Sequence, residues 1–418
     1  MKCKCKIAVA FLLVLVMLVP LSLSCGGGGG GAGKVTIHIG QLTDFTGAAS
    51  PALKYITFIT EDMIRYYNDE NLIPGVKVKL DAYDTKFDPS RYSLGYDWCK
   101  QKGDDIIITI IADVPYMLKP FAVRDKIILA AMGGSPGLFT PPGWVFGFSS
   151  ANEDSAKILL HWIVGNDWPD KGQGTPKIGI LAWNDTQSTD VTKAIEAYLN
   201  AHQDEYEYVG RITTPVGQST FTSEAKRLKD EGCDYIAIPS GNILAPFLRD
   251  LRAAGSQATL LDCCGSMGSF QRMYVQMVGW DMLDGCYSTA NSFYWTDTAN
   301  PIVDLATMLV HRYHSAGEAE DIIASGNSYV GPAFMMTGIL EVLKQAVKNV
   351  GAENFNGQAY YDAALNYKTT SSIWAGCPGF SFSETRRKLM DHSLITEFKG
   401  GDVKNYVTLG GWLPDIVD

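Results

Sequence analysis

Past residue 24 the chain contains no apolar run approaching the roughly 20 residues that a membrane span requires, so everything beyond that point is expected to sit in water. Positive charge is also scarce. Lys and Arg number 35 against 45 Asp and Glu, a net charge of −10, and setting aside the first 24 residues with their three lysines takes it to about −13. That balance argues against nucleic acid and against anionic lipid surfaces as partners. There is no HExxH helix, and the carboxylates form no recognisable acid–base pair, so an enzyme is not the expected reading. No cysteine has CxxC or Cys/His spacing suited to zinc. His311 and His314 share a helix face without an obvious metal pattern and read as surface histidines. The glycine tract from Gly26 to Gly31 lacks the Lys-Ser/Thr ending of a phosphate loop and precedes the first strand instead of following it. No cofactor and no metal are expected.

What is present begins at the N-terminus. Lys2, Lys4 and Lys6 precede an apolar run from Ile7 to Leu23 that closes on Ser24-Cys25. The run is 17 residues long with Pro20 inside it, a pattern of export rather than of spanning. A cysteine directly after such a core resembles the lipobox of bacterial lipoproteins, although Ser22 stands where that family usually has Leu and Leu21 sits one place early. The resemblance implies removal of residues 1–24, acylation of Cys25, and a Gly-rich tether over 25–34. It places the protein on the extracytoplasmic face of a bacterial cell membrane, touching the membrane through its lipid alone. Of nine cysteines, six then remain: Cys99, Cys233, Cys263, Cys264, Cys286 and Cys377. A bridge between the Cys263-Cys264 step and Cys286 and a set of buried free thiols both fit, and the pairing stays open.

The remaining 394 residues are too many for one ordinary core and natural for two domains. Hydrophobic residues make up 46% and charged residues 19%, which excludes disorder. Short β-rich runs alternate with amphipathic stretches. Strands are expected at Val35 to Gly40, Val76 to Tyr83, Asp105 to Ile111, Ile127 to Ala131, Lys177 to Ala182, Tyr206 to Ile212, Tyr235 to Pro239, Thr259 to Leu261 and Gly285 to Ala290. Helices are expected at Pro51 to Asn68, Pro89 to Lys102, Glu153 to Gly165, Asp190 to His202, Phe221 to Glu231, Ala245 to Ala254 and Phe270 to Val278. A longer helical region covers Pro301 to Ser315 and Tyr329 to Val350. The continuous apolar run Asp105 to Ile111 suits a strand buried on both faces, and the alternation predicts doubly wound parallel α/β sheets. The rhythm restarts near Glu153, after the turn-rich Gly133 to Gly147 segment, marking a change of lobe.

Several local patterns recur in a telling order. Gln41-Leu42-Thr43-Asp44-Phe45-Thr46-Gly47 follows the first strand. Tyr66-Tyr67-Asn68, Ile73-Pro74-Gly75 and Val76 to Asp84 come next, then Asp88-Pro89, Asp104 to Ile111 and Gly133-Gly134-Ser135-Pro136. Gly331 to Leu343 and the strand-like Gly379-Phe380-Ser381-Phe382 close the series. Together they resemble the type 1 periplasmic-binding fold, and within it the branched-chain amino-acid receptor family of ABC importers. The resemblance implies two Rossmann-like lobes joined by three crossovers, with lobe 1 as 35–150 plus 293–382 and lobe 2 as 151–292 plus 383–418. It further implies a monomeric receptor that traps a small polar organic solute (an amino acid or a related amide, carboxylate or aromatic compound) and passes it to permease subunits. A sensor of the same fold, signalling to a membrane partner, is the alternative.

In open α/β sheets ligands bind beyond the carboxyl ends of strands, which selects the loops there. Asp44 and Phe45 either line the pocket or, for Asp44, cap the next helix. The family's Ser-Ser step, which helps hold a substrate carboxylate, aligns with Ala112-Asp113; Asp113 would repel a carboxylate and accept from an amine, hydroxyl or amide, or serve as a turn residue. Gly134 and Ser135 fit the family's small-residue loop, Ser135 standing for its usual Thr. Trp183 either stacks on the ligand or seals the second core. Gln187 replaces a tyrosine, Asn242 lies in a small-residue loop, and the family's glutamate falls near Cys264, with Asp262 the nearest substitute. Tyr294 suits cleft wall and hinge packing equally.

Overall fold

In the computed structural model, residues 33–47, 49–399 and 406–416 are described, the side chains of Pro136 and Asn242 excepted. The expected signal segment, Cys25 and most of the glycine tract lie outside the described residues. From Lys34 onward the chain holds together as one unit, within which two sheets define two lobes.

The first sheet contains β1 (Val35–Thr43), β2 (Val76–Asp84), β3 (Ile106–Thr109), β4 (Ile128–Ala131) and β5 (Val145–Gly147). All pair in parallel, in the order β2-β1-β3-β4-β5. Successive strand side chains point to opposite faces, and β3 shows the consequence. Ile106 and Ile108 join one core, while Ile107 joins the other with Tyr96, Val114 and Leu118. The helices Ser50–Asp69 and Val330–Val350 cover the first face; Tyr92–Lys102 and Val114–Asp125 cover the second.

The second sheet holds β6 (Lys177–Trp183), β7 (Glu207–Thr214), β8 (Tyr235–Ile238), β9 (Thr259–Asp262), β10 (Tyr287–Ala290), β11 (His392–Phe398) and β12 (Tyr406–Pro414). The first five are parallel, whereas β11 and β12 add antiparallel at the β10 edge. Strands before residue 148 therefore build one sheet, and strands after residue 176 build the other. The chain crosses between lobes after β5, after β10, and again ahead of β11, giving the two doubly wound lobes and three crossovers that were expected.

Some elements differ from the expectation. The helix Val114–Asp125 carries Pro115 near its start and Pro120 inside, which broke its sequence pattern. Strand β5 is three residues long within a turn-rich segment, and the β11–β12 pair was not anticipated. The stretch Gly379 to Phe382 is a loop with one isolated bridge, Lys368 to Ser381. All six described cysteines are free thiols. His314 is not a surface histidine: its ring is wedged between Asp62 (2.7 Å) and Glu318 (3.1 Å) with only 9% of the side chain exposed.

Candidate binding cleft

A cavity of about 450 Å³ lies where the carboxyl ends of both sheets meet. Lobe 1 contributes Ile110, Ile111, Ala112 and Asp113 beyond β3, Met132 and Gly133 beyond β4, and Phe148 and Ser149 beyond β5. Lobe 2 contributes Trp183, Asp185, Gln187 and Ser188 beyond β6, Ser240 and Gly241 beyond β8, and Cys264, Gly265 and Ser266 beyond β9. Hydroxyl and amide groups thus punctuate a wall of Ile, Met, Phe and Trp, the composition of a site for a small organic molecule.

Two carboxylates, Asp113 and Asp185, face this volume, and among its described lining residues there is no Lys, Arg or His. Asp113 occupies the N-cap position of Val114–Asp125 yet makes no side-chain cap bond. Asp113 remains exposed at the cleft surface; partial desolvation there, and then the charge of Asp185, raise its pKa above the usual carboxylate value. Asp185 is anchored: its carboxylate accepts the Ser188 N–H at 2.8 Å and the Ser188 hydroxyl at 2.6 Å. Ser188 in turn bonds the Ser240 hydroxyl, which accepts the Trp183 N–H at 3.3 Å. One polar chain therefore stitches the mouths of β6 and β8 and fixes the Trp183 backbone. The indole N–H of Trp183 is buried without an acceptor among the described residues.

Asp113, Trp183 and Gln187 are thus brought together on the cavity wall. The other candidates stand elsewhere. Asp44 is buried and braces the loop ahead of the Ser50–Asp69 helix, accepting the N–H groups of Thr46 (3.1 Å), Gly47 (2.5 Å) and Ala49 (2.8 Å), while that helix has no side-chain cap. Phe45 is 44% exposed outside the lining, its N–H bonded to Asp84 at 3.0 Å. Gly134 is packed on Leu138 with φ +142, and Ser135 meets the Tyr116 hydroxyl at 2.6 Å behind the wall. Asp262 is fully buried beneath the wall, where it accepts from Met267 N–H (2.6 Å), Ser266 (3.1 Å) and Ser288 (2.8 Å). It braces the loop that presents Cys264 to Ser266, and burial pushes its pKa up. Tyr294 donates to Gln271 at 2.5 Å and packs its ring on Tyr406. The Asn242 side chain lies outside the described residues.

Other lining residues went unnoticed in the sequence: Asn152, Asn291, Asn327, Phe334 and Tyr406. Asn327 donates to Ser292 at 2.7 Å while its carbonyl oxygen is buried and unpartnered among the described residues. The Ser325-Gly326-Asn327-Ser328 turn ahead of the Val330–Val350 helix was the available signal. Behind the cavity the three crossovers converge on hydroxyl groups. Ser150 follows β5, Asn291 follows β10, and Ser393 opens β11. Ser150, Ser155 and Ser393 form a triangle of 2.8 to 3.1 Å contacts, and Ser150 also bonds Asn291.

Residues 36–402 match the family described as periplasmic binding protein. This chain belongs to that family. The protein from a branched chain amino acid ABC transporter of Thermus thermophilus, solved with valine, superposes on this periplasmic binding protein with a TM-score of 0.76 at 14% identity, covering 92% of this chain and 98% of that one. A solute binding protein from Rhodopseudomonas palustris BisB5 with 3,4-dihydroxy benzoic acid gives 0.69 at 15% identity over 92% and 99%. A fatty acid ABC transporter substrate-binding protein from Thermomonospora curvata gives 0.72 at 11% over 92% and 94%. At such identities the likeness is one of fold. A comparison with curated proteins finds no match. No helix among the described residues is long and apolar enough to cross a membrane.

Proposed function

We propose that this periplasmic binding protein is a monomeric, extracytoplasmic receptor that captures a small polar organic solute by hinge closure and delivers it to ABC permease subunits. Its lobes are 35–150 plus 293–382 and 151–292 plus 383–418, and a lipid on Cys25 holds it to the membrane. The observation that carries the reading is the cavity of about 450 Å³ at the meeting of both lobes, because both contribute its walls. Only a ligand that contacts both lobes shifts the open–closed equilibrium. Within the candidate solutes, the Asp113–Asp185 pair and the lack of a cationic side chain among the described lining residues favour a molecule bearing an amine, amide or hydroxyl over a carboxylate. The Ile, Met, Phe and Trp wall favours an apolar or aromatic body.

Mass spectrometry of whatever co-purifies with the mature protein tests this directly, supported by a thermal-shift screen of amines, amides, amino acids, and aromatic and carboxylic compounds. A chemically unchanged solute that raises the melting temperature is expected. A library-wide absence of any shift, together with an empty protein, would overturn the proposal, and a ligand recovered as a converted product would point to catalysis.

A further inference from the structure

Away from the cleft, lobe 1 gathers a second polar cluster, none of whose residues lines the cavity. His38 lies on β1, Asp81 on β2, and Asp104 just ahead of β3. One ligand-type atom from each falls within 4.8 Å of the other two. Sheet geometry explains the meeting. Gly40 is the register partner of Asp81, and His38 and Gly40 point to the same face, towards the Tyr92–Lys102 helix. A Cβ on Gly40 would lie 2.8 Å from Cys99 Sγ and 2.9 Å from Asp104 Oδ2. Glycine therefore leaves the space into which the Cys99 thiol and the Asp104 carboxylate turn.

Asp104 is the unusual member. It is 2% exposed, and neither of its carboxylate oxygens has an N–H or O–H donor among the described residues, the Cys99 thiol being its one polar neighbour of donor type. Asp81, also buried, accepts from His38 Nδ1 at 2.6 Å and from Lys79 at 3.1 Å. A buried carboxylate without an N–H or O–H donor, set beside a second carboxylate, is expensive. Either a proton or a divalent cation relieves it. An imidazole, two carboxylates and a neighbouring thiol make a mixed N/O/S donor set, which suits Zn²⁺ better than the all-oxygen cages of Ca²⁺ or Mg²⁺.

We propose that His38, Asp81 and Asp104 form a zinc site in lobe 1, and that the Cys99 thiol, which lies beside Asp104 but outside the three-residue cluster, moves in as the fourth ligand. On loading, the ion displaces the proton shared by His38 and Asp81 together with those of the Asp104 carboxyl and the Cys99 thiol, all released to solvent, and His38 and Asp81 separate to the wider spacing that bonds of about 2.0–2.2 Å demand. Lys79, whose side chain is half exposed, turns towards solvent. The ion then cross-links β2, β1, the approach to β3 and the helix behind them, so its role is structural. Sequence spacing hid the site, since His38 and Asp81 are 43 residues apart.

The test uses the full mature chain, stripped with chelator and given Zn²⁺ alone. One retained equivalent per chain and a raised melting temperature are expected. With Co²⁺ an intense thiolate-to-metal absorption band is expected. Asp104→Asn mimics the protonated acid and should fold, yet it and His38→Gln should each weaken zinc by at least about 100-fold. Wild-type protein that neither retains zinc nor is stabilised by it would overturn the proposal in favour of a protonated Asp104. Variants that bind zinc like wild type would also overturn it, placing the ion elsewhere. A cobalt complex without the thiolate band would overturn the assignment of Cys99.

Discussion

Asp113 and Asp185 bring carboxylates from opposite lobes to a single cavity, and the charge of Asp185 helps raise the pKa of Asp113. Their roles differ. Asp185 is held by Ser188 at the start of a helix, whereas Asp113 has no cap bond to make. On the proposed reading, a solute whose donor group reaches both would relieve this repulsion, most fully when the lobes are close.

Replacing Asp113 with Asn or Ala should therefore weaken an amine-bearing solute by about 10- to 100-fold, since a hydrogen bond to a charged group is worth roughly 1.5–3 kcal/mol. Circular dichroism and melting temperature should stay near wild type. Isothermal titration calorimetry reads the affinity; an unchanged value would take Asp113 out of the contact set. Neutral hydroxylated ligands should lose less than amines.

Trp183→Ala removes the largest flat surface that β6 offers to the cavity. Affinity should fall by at least about 10-fold for a solute with an aromatic or extended apolar body, given the area an indole covers and its stacking contribution. The fold should persist, because the Ser188–Ser240 link survives. If binding were untouched while the melting temperature dropped, Trp183 would be a core residue of lobe 2.

Asp44→Ala should do the opposite. It deletes the acceptor for three backbone N–H groups in the loop ahead of the helix, so a stability loss of about 1–3 kcal/mol is expected by urea unfolding. Solute affinity should move by less than about threefold. A large affinity loss at unchanged stability would bring Asp44 into the site.

Glu153 is 5% exposed, and burial, followed by the Asp154 charge, pushes its pKa up to about 7. The unfolded chain releases this proton near the ordinary carboxylate value, so between that value and about 7 the native state binds more protons. Stability should thus fall as pH rises through this window. Glu153→Gln should flatten the slope and make the protein more stable at pH near 8 by about 1–3 kcal/mol. Denaturant midpoints at acid and mildly alkaline pH decide it; an unaltered slope would assign the effect to another group.

Much of the architecture was legible in the sequence because parallel strands buried on both faces need unbroken β-branched runs such as Ile106-Ile107-Ile108. The elements that escaped are those whose signal is local and weak: a helix interrupted by Pro120, a three-residue strand at Val145, and an antiparallel pair completed far from its neighbours. For the cleft, strand ends identify the loops but not the turn of each side chain. Asp262 and Cys264 are two residues apart, yet one braces the wall from beneath and the other lines it. His314 illustrates the same limit, since its carboxylate partner Asp62 lies 252 residues away.

If the lobes hinge as proposed, the serine triangle of Ser150, Ser155 and Ser393 gives that hinge a bearing made of rotors. Hydroxyls donate and accept in any direction, so as the lobes swing each can pass its proton contact to a neighbour, or to Asn291, while the number of bonds stays nearly constant. Apolar side chains at this point would have to unpack and repack with every cycle. Under the hinge closure proposed above, a pivot of exchangeable partners would leave the two positions of the lobes close in energy and hand the choice between them to the solute.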